Sequence, residues 1–154
     1  MVILHTRRPL LGLCLGALAA AMPLLAATPV DEPIVVRDAW LAQPPPGTEV
    51  IAGYVELTAA AADRLRGARS TFAARVEVHA HEHVDGVMKM RKLDDGVPLP
   101  AGTPVKLEPH GLHLMLFDPV HRPEVGEKIW IGLDFEQAGS VSVEFAVRDA
   151  RDMH

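Results

Sequence analysis

A chain of 154 residues, 49% of them hydrophobic, has material for one buried core and too little for two domains. Its 20 acidic residues outnumber its 15 lysines and arginines, for a formal charge of −5, and no basic run is present to neutralise phosphates. Nucleic-acid binding and attraction to an anionic membrane surface are therefore disfavoured.

At the N-terminus, Arg7 and Arg8 supply a positive region, Leu10 to Ala21 is apolar, and Leu25-Ala26-Ala27 offers a small-residue cleavage point. These are the parts of a secretory signal peptide, so residues 1–27 are read as that peptide and 28–154 as the mature domain, exported to the periplasm. A membrane anchor competes, but Pro23 interrupts the run, which falls short of the roughly 20 residues a spanning helix needs. No stable membrane insertion is expected after cleavage. Thr6-Arg7-Arg8-Pro9-Leu10-Leu11 also looks like a twin-arginine signal, which leaves the export route open. Lipid attachment at Cys14 is disfavoured, because Leu13 stands where Gly or Ala is wanted. Cys14 is the one cysteine, so the mature chain can form no disulfide and offers no thiolate. It keeps 13 basic and 20 acidic residues, a formal charge of −7.

Beyond Pro33 the pattern is that of short strands. Ile34 to Trp40 reads as the first, closed by Gln43-Pro44-Pro45-Pro46-Gly47, where proline removes ladder donors and glycine permits a turn. Val50 to Leu57 forms a second run, and Ala59 to Ala62 reads as a connection, too short for an independent helix. From Arg75 the period-2 alternation is strong. Val76, Val78 and Ala80 share one face, and Glu77, His79, His81 and His83 share the other.

Asp85-Gly86 is the dipeptide of a two-residue hairpin loop. Met88 and Met90 then lie together on the return strand. A hairpin symmetric about that loop sets His83 opposite Met88 and His81 opposite Met90, with His79 diagonal to Met90 at roughly 7–8 Å between backbones. Leu99-Pro100-Ala101-Gly102 and Glu108-Pro109-His110-Gly111 bracket a strand around Val105 to Leu107. Leu112 to Phe117 follows, leucines on the core side and His113 with Met115 on the other. Lys128 to Phe135 and Ser140 to Val147 complete roughly seven to nine short strands, the signature of an all-β sandwich or Greek-key barrel.

Methionine usually fills cores. Here Met88, Met90 and Met115 all fall on the faces that carry histidines, and soft-metal binding explains apolar sulfur in that company. Thioether and imidazole together favour copper in its reduced state, Cu(I). The candidate ligands are His79, Met90, His113 and Met115. His81, Met88 and His83 share the face as additional candidates, the histidines suiting a secondary Cu(II) site. His110 and His121 are placed in turns as solvated residues.

Val78-His79, Gly86 through Arg91, Leu99-Pro100-Ala101-Gly102 and Gly111-Leu112-His113-Leu114-Met115-Leu116 together closely resemble the PCu(A)C family of periplasmic copper chaperones. The likeness extends to Asp38-Ala39-Trp40, Ala52-Gly53-Tyr54 and Asp63 through Ser70. It implies a cupredoxin-like β-barrel. In that family a His, a Met eleven residues later and a distant His-x-Met bind one Cu(I), matching His79, Met90, His113 and Met115. The resemblance further implies delivery of copper to a recipient copper protein, typically a cytochrome c oxidase subunit during assembly, alongside Sco-type thiol proteins. One extra residue between the second and third ligands falls near Asp94-Asp95-Gly96, a turn where insertions are tolerated.

A blue-copper electron carrier needs a Cys thiolate that the mature chain lacks. A cupin-type metal enzyme would begin on His79-Ala80-His81, but Val84-Asp85-Gly86 stands where its glutamate belongs, so the chain is read as a non-enzyme. The rival of delivery is a copper storage, scavenging or uptake protein with no part in oxidase assembly, which needs the same soft site.

Overall fold

The computed structural model describes residues 32–84 and 86–152. The signal-peptide expectation and the Met153-His154 terminus lie outside the described residues, as does the side chain of His83. Ten strands follow in order: β1 Ile34–Ala42, β2 Val50–Ala59, β3 Asp63–Arg69, β4 Ala73–Val84, β5 Val87–Lys92, β6 Val97–Leu99, β7 Val105–Leu107, β8 Leu112–Pro119, β9 Lys128–Phe135 and β10 Gly139–Arg148. The helical content among the described residues is one 3-10 turn, Ala150–Asp152.

Hydrogen bonding runs β5-β4-β8-β7-β2-β1-β10-β9-β3-β6, with β8 also on β2 and β3 also on β4. That last pairing, Ala68 with Val76, brings the sheet back on itself and closes it as a barrel. β1 meets β10 in parallel and β2 in antiparallel. The fold is the all-β barrel that the strand pattern offered beside a sandwich, and it is of the cupredoxin-like kind that the family resemblance implied.

Alternation decides what goes inside. On β9, Ile129, Ile131, Leu133 and Phe135 are buried; on β10, Val143, Phe145 and Val147 meet them. Leu114 and Leu116 bring β8 into the same cluster with Ile51, Val55 and Leu57 of β2. No methionine takes part among the described residues. β1 slips register between Arg37 and Trp40, with Asp38 at φ 46. That bulge sends Leu41 into the core while Trp40 packs outside it on Tyr54, ring centroids 4.6 Å apart.

β3 lies within a segment that the strand pattern did not mark as a strand. Its Arg-rich sequence shows no alternation strong enough to announce it, yet Leu65 is fully buried. Arg69 pairs with Asp134 at 2.7 Å, and Arg64 and Arg66 reach Glu136. The Asp63 carboxylate accepts the backbone N–H groups of Arg64, Gln137 and Ala138 at 2.7, 2.8 and 2.9 Å, clasping the β9–β10 turn.

Candidate metal centre

The β4–β5 hairpin has the register its loop dictates. Val84 pairs with Val87 across Asp85-Gly86, His83 with Met88, His81 with Met90 and His79 with Lys92; Gly86 sits at φ 77, the left-handed region glycine enters without cost. On the other flank of β4, β8 sets His113 opposite His79 and Met115 opposite Glu77. Directly opposed residues of antiparallel strands share a face. Three strands thus place His79, His81, His113, Met88, Met90 and Met115 on one outer face, Met90 opposite His81 and diagonal to His79.

Depth grades across this face. His113 is 4% exposed and the His79 side chain 13%, whereas Met90 and Met88, on the edge strand β5, are 56% and 44% exposed. Met115 is half-buried. The ring centroids of His79 and His113 lie 6.0 Å apart, those of His81 and His113 4.9 Å, and those of His81 and His110 6.2 Å.

Hydrogen bonds assign the nitrogens. His79 Nε2–H donates to Glu77 Oε2 at 2.9 Å, which leaves Nδ1 as the lone-pair nitrogen, buried and without a hydrogen-bond partner. His113 Nδ1–H donates to the Gly111 carbonyl at 3.1 Å, which leaves Nε2 to coordinate. Fixing one ring nitrogen so that the other can bind is the usual outer support of a metal-ligating histidine. Glu77 is itself held by Arg75 at 3.0 Å and Lys92 at 3.6 Å. The His79 hydrogen bond, with the Lys92 and Arg75 charges, keeps its carboxyl below the ordinary carboxylate range. Burial pushes the His113 imidazole below its ordinary value, against the pull of the Gly111 carbonyl and with the help of repulsion from His81 and His79.

Among the described residues, no three His, Cys, Asp or Glu side chains converge closely enough to hold an ion by themselves. With the side chains as they stand, nitrogen and oxygen donors alone make no cage, so an ion bound without rearrangement would draw on thioether sulfur. Two imidazole lone pairs beside exposed thioethers fit a soft monovalent ion and suit hard cations poorly.

The structure sets His79, His81, His113, Met90 and Met115 on one face of three adjacent strands, with Met88 further along β5. His121 is exposed and bonded to Glu127 at 2.9 Å. His110 is exposed at φ 65, yet its ring neighbours His81. Sequence reasoning gave no role to Glu77; the Glu77-x-His79 spacing on one strand face was the available signal.

A family model described as "Putative lipoprotein LpqE-like" matches residues 34–147. The chain belongs to the LpqE-like family. A relative in Leifsonia xyli subsp. xyli, "Putative lipoprotein Lxx21020", is 30% identical to this LpqE-like chain over 133 residues, 85% of this chain and 80% of that one. Among solved structures, the apo PmoF2 PCuAC domain is 29% identical with a TM-score of 0.64, covering 79% of this chain and 94% of that one. The copper-bound PCuAC domain from PmoF2 is 28% identical with a TM-score of 0.62, covering 76% and 93%. Apo-DR1885 from Deinococcus radiodurans is 26% identical with a TM-score of 0.60, covering 96% and 97%. The LpqE-like chain thus has the fold of PCuAC domains over its whole barrel.

Proposed function

We propose that this LpqE-like protein is an exported Cu(I) carrier that binds one ion through His79, Met90, His113 and Met115 and hands it to a recipient copper protein. The observation that carries the reading is the buried, unpartnered Nδ1 of His79, set beside His113 on the face that holds every methionine of the described residues. The copper-bound state of the PmoF2 PCuAC domain supports it.

Transfer by such a site is ligand exchange and calls for no enzymatic chemistry. Met90 on the open edge strand is the ligand a partner can displace first, and His113, deepest on the face, is the last to let go. Stepwise replacement keeps the ion coordinated throughout. The proposed setting is the periplasm, and the proposed recipient a cytochrome c oxidase subunit during assembly, with Sco-type thiol proteins in the same relay. The family description, "Putative lipoprotein LpqE-like", supports export.

Anaerobic Cu(I) titration with X-ray absorption tests the site. One ion with mixed nitrogen and sulfur ligation is expected, with one sulfur lost in Met90→Leu and one in Met115→Leu, near volume-conserving changes. Full sulfur ligation in both variants would sink the assignment. Delivery is separated from storage or scavenging by deletion of the gene: oxidase activity should fall and recover with added copper. Unchanged oxidase with altered copper tolerance favours scavenging.

A further inference from the structure

We infer that His81 is a nitrogen ligand for Cu(II), replacing thioether sulfur on the same face so that oxidised copper is held by His81 together with His113 and His79. The inference rests on the copper reading above and adds a residue and an oxidation state to it.

Geometry singles out His81 rather than its neighbours. Its ring lies 4.9 Å from that of His113, nearer than His79 at 6.0 Å. It stands directly opposite Met90, between that thioether and His113. Its Nδ1 is buried with no hydrogen-bond partner. A buried polar atom left unsatisfied is destabilising, and such an atom in a folded protein calls for a water, an ion or a functional role. Glu77, which could have satisfied a histidine on this face, is already engaged by His79. Glu82 is paired with Arg91 at 2.9 Å. Among the described residues no carboxylate is hydrogen-bonded to His81, so its ring is not held in place by an acidic neighbour.

Ligand softness divides the face between two ions. Cu(I) is satisfied by two thioethers and two imidazoles, whereas Cu(II) prefers nitrogen and oxygen donors in a tetragonal array. His79 Nδ1 and His113 Nε2 are two such nitrogens, and the ring of His81, whose Nδ1 has no hydrogen-bond partner, supplies a third. They do not yet meet at bonding distance around one point, so occupation needs a side-chain rotation. His81 lies in the half of β4 paired with the edge strand β5 and is only partly buried, which leaves room for it. A site assembled this way binds without a rigid cage and remains exchangeable.

The test uses the purified protein with each ion alone: Cu(II) in air, followed by electron paramagnetic resonance and chelator competition, and Cu(I) anaerobically. His81→Gln and His81→Asn should weaken Cu(II) by about tenfold or more, the scale at which even outer-shell changes register, and remove one nitrogen from the spectrum. Cu(I) affinity should stay within about threefold, and Met90→Leu should show the opposite selectivity. Circular dichroism confirms the fold, and two substitutions guard against one failing to fold. Unchanged Cu(II) affinity and spectrum in both His81 variants overturns the inference, as does equal loss for both ions. A wild type that binds Cu(II) through His81 but takes no Cu(I) would sustain the inference while defeating the carrier function proposed above.

Discussion

His79 and His113 keep opposite nitrogens for coordination, Nδ1 in one and Nε2 in the other, because each has its second nitrogen tied down by a different neighbour. The neighbour of His79 is a carboxylate, and that makes Glu77 the residue whose removal should loosen the site without touching a ligand. Glu77→Ala is expected to weaken Cu(I) binding roughly tenfold to a hundredfold in a chelator competition, with sulfur ligation unchanged. An affinity within twofold of wild type would remove Glu77 from the account. The pH response follows from the same nitrogens. Imidazole must be neutral to coordinate, while thioether does not titrate. Burial holds the His113 pKa below its ordinary value, so protons compete with copper there only below the usual histidine value of about 6.5. Affinity should therefore weaken below about pH 6 and survive in part through sulfur; a titration flat from pH 7 to pH 5 would count against both histidines as ligands.

Strands turn these residues into a face, and they were not equally legible. Period-2 alternation fixed the faces of the β4–β5 hairpin, and Asp85-Gly86 favoured a two-residue loop over a bulged three-residue turn that would shift the register by one; the observed pairing of His81 with Met90 is that of the two-residue loop. The His113-x-Met115 strand was readable for the same reason. What local pattern could not give is the depth of His113 or the choice of nitrogens, since both depend on the Gly111 carbonyl and on β4 packing alongside. β3 escaped because tertiary partners stabilise it: Leu65 in the core, arginines on Glu136 and Asp134, and the Asp63 clasp on the β9–β10 turn. Burial alone would raise the Asp63 carboxyl, but the N–H groups of Gln137, Arg64, Ala138 and Glu136 hold it below its ordinary value. A carboxyl depressed in the folded state stabilises fully above its unfolded pKa, about 4, and loses that contribution as pH falls through the folded value. Asp63→Ala should cost about 1–3 kcal/mol at pH 7 by orphaning the turn's N–H groups, and the gap from wild type in urea unfolding should narrow toward pH 3. A gap constant with pH would mean that the charge of the clasp contributes nothing.

At the scale of the molecule, one strand serves two purposes: β8 buries Leu114 and Leu116 in the barrel and presents His113 and Met115 on the face between them. The core is complete without an ion, being built from aliphatic and aromatic side chains with every described methionine outside it. Stability and copper binding should therefore separate by substitution. Leu114→Ala removes fully buried volume and is expected to cost about 2–5 kcal/mol. Met90→Leu, at an exposed edge position, should stay within about 0.5 kcal/mol of wild type in the apo protein. Copper then adds its own increment, because an ion that binds only the folded chain stabilises it by about 2.7 kcal/mol at a free concentration of 100 times Kd. That increment should persist in Leu114→Ala, whose barrel still carries the face, and shrink in Met90→Leu, whose barrel is intact but lacks a sulfur. Thermal unfolding of the three proteins at matched Cu(I) reads both quantities at once. A Leu114→Ala protein that stays folded yet gains nothing from Cu(I) would show that the core also sets the position of His113, and the division of β8 into a packing side and a binding side would have to be given up.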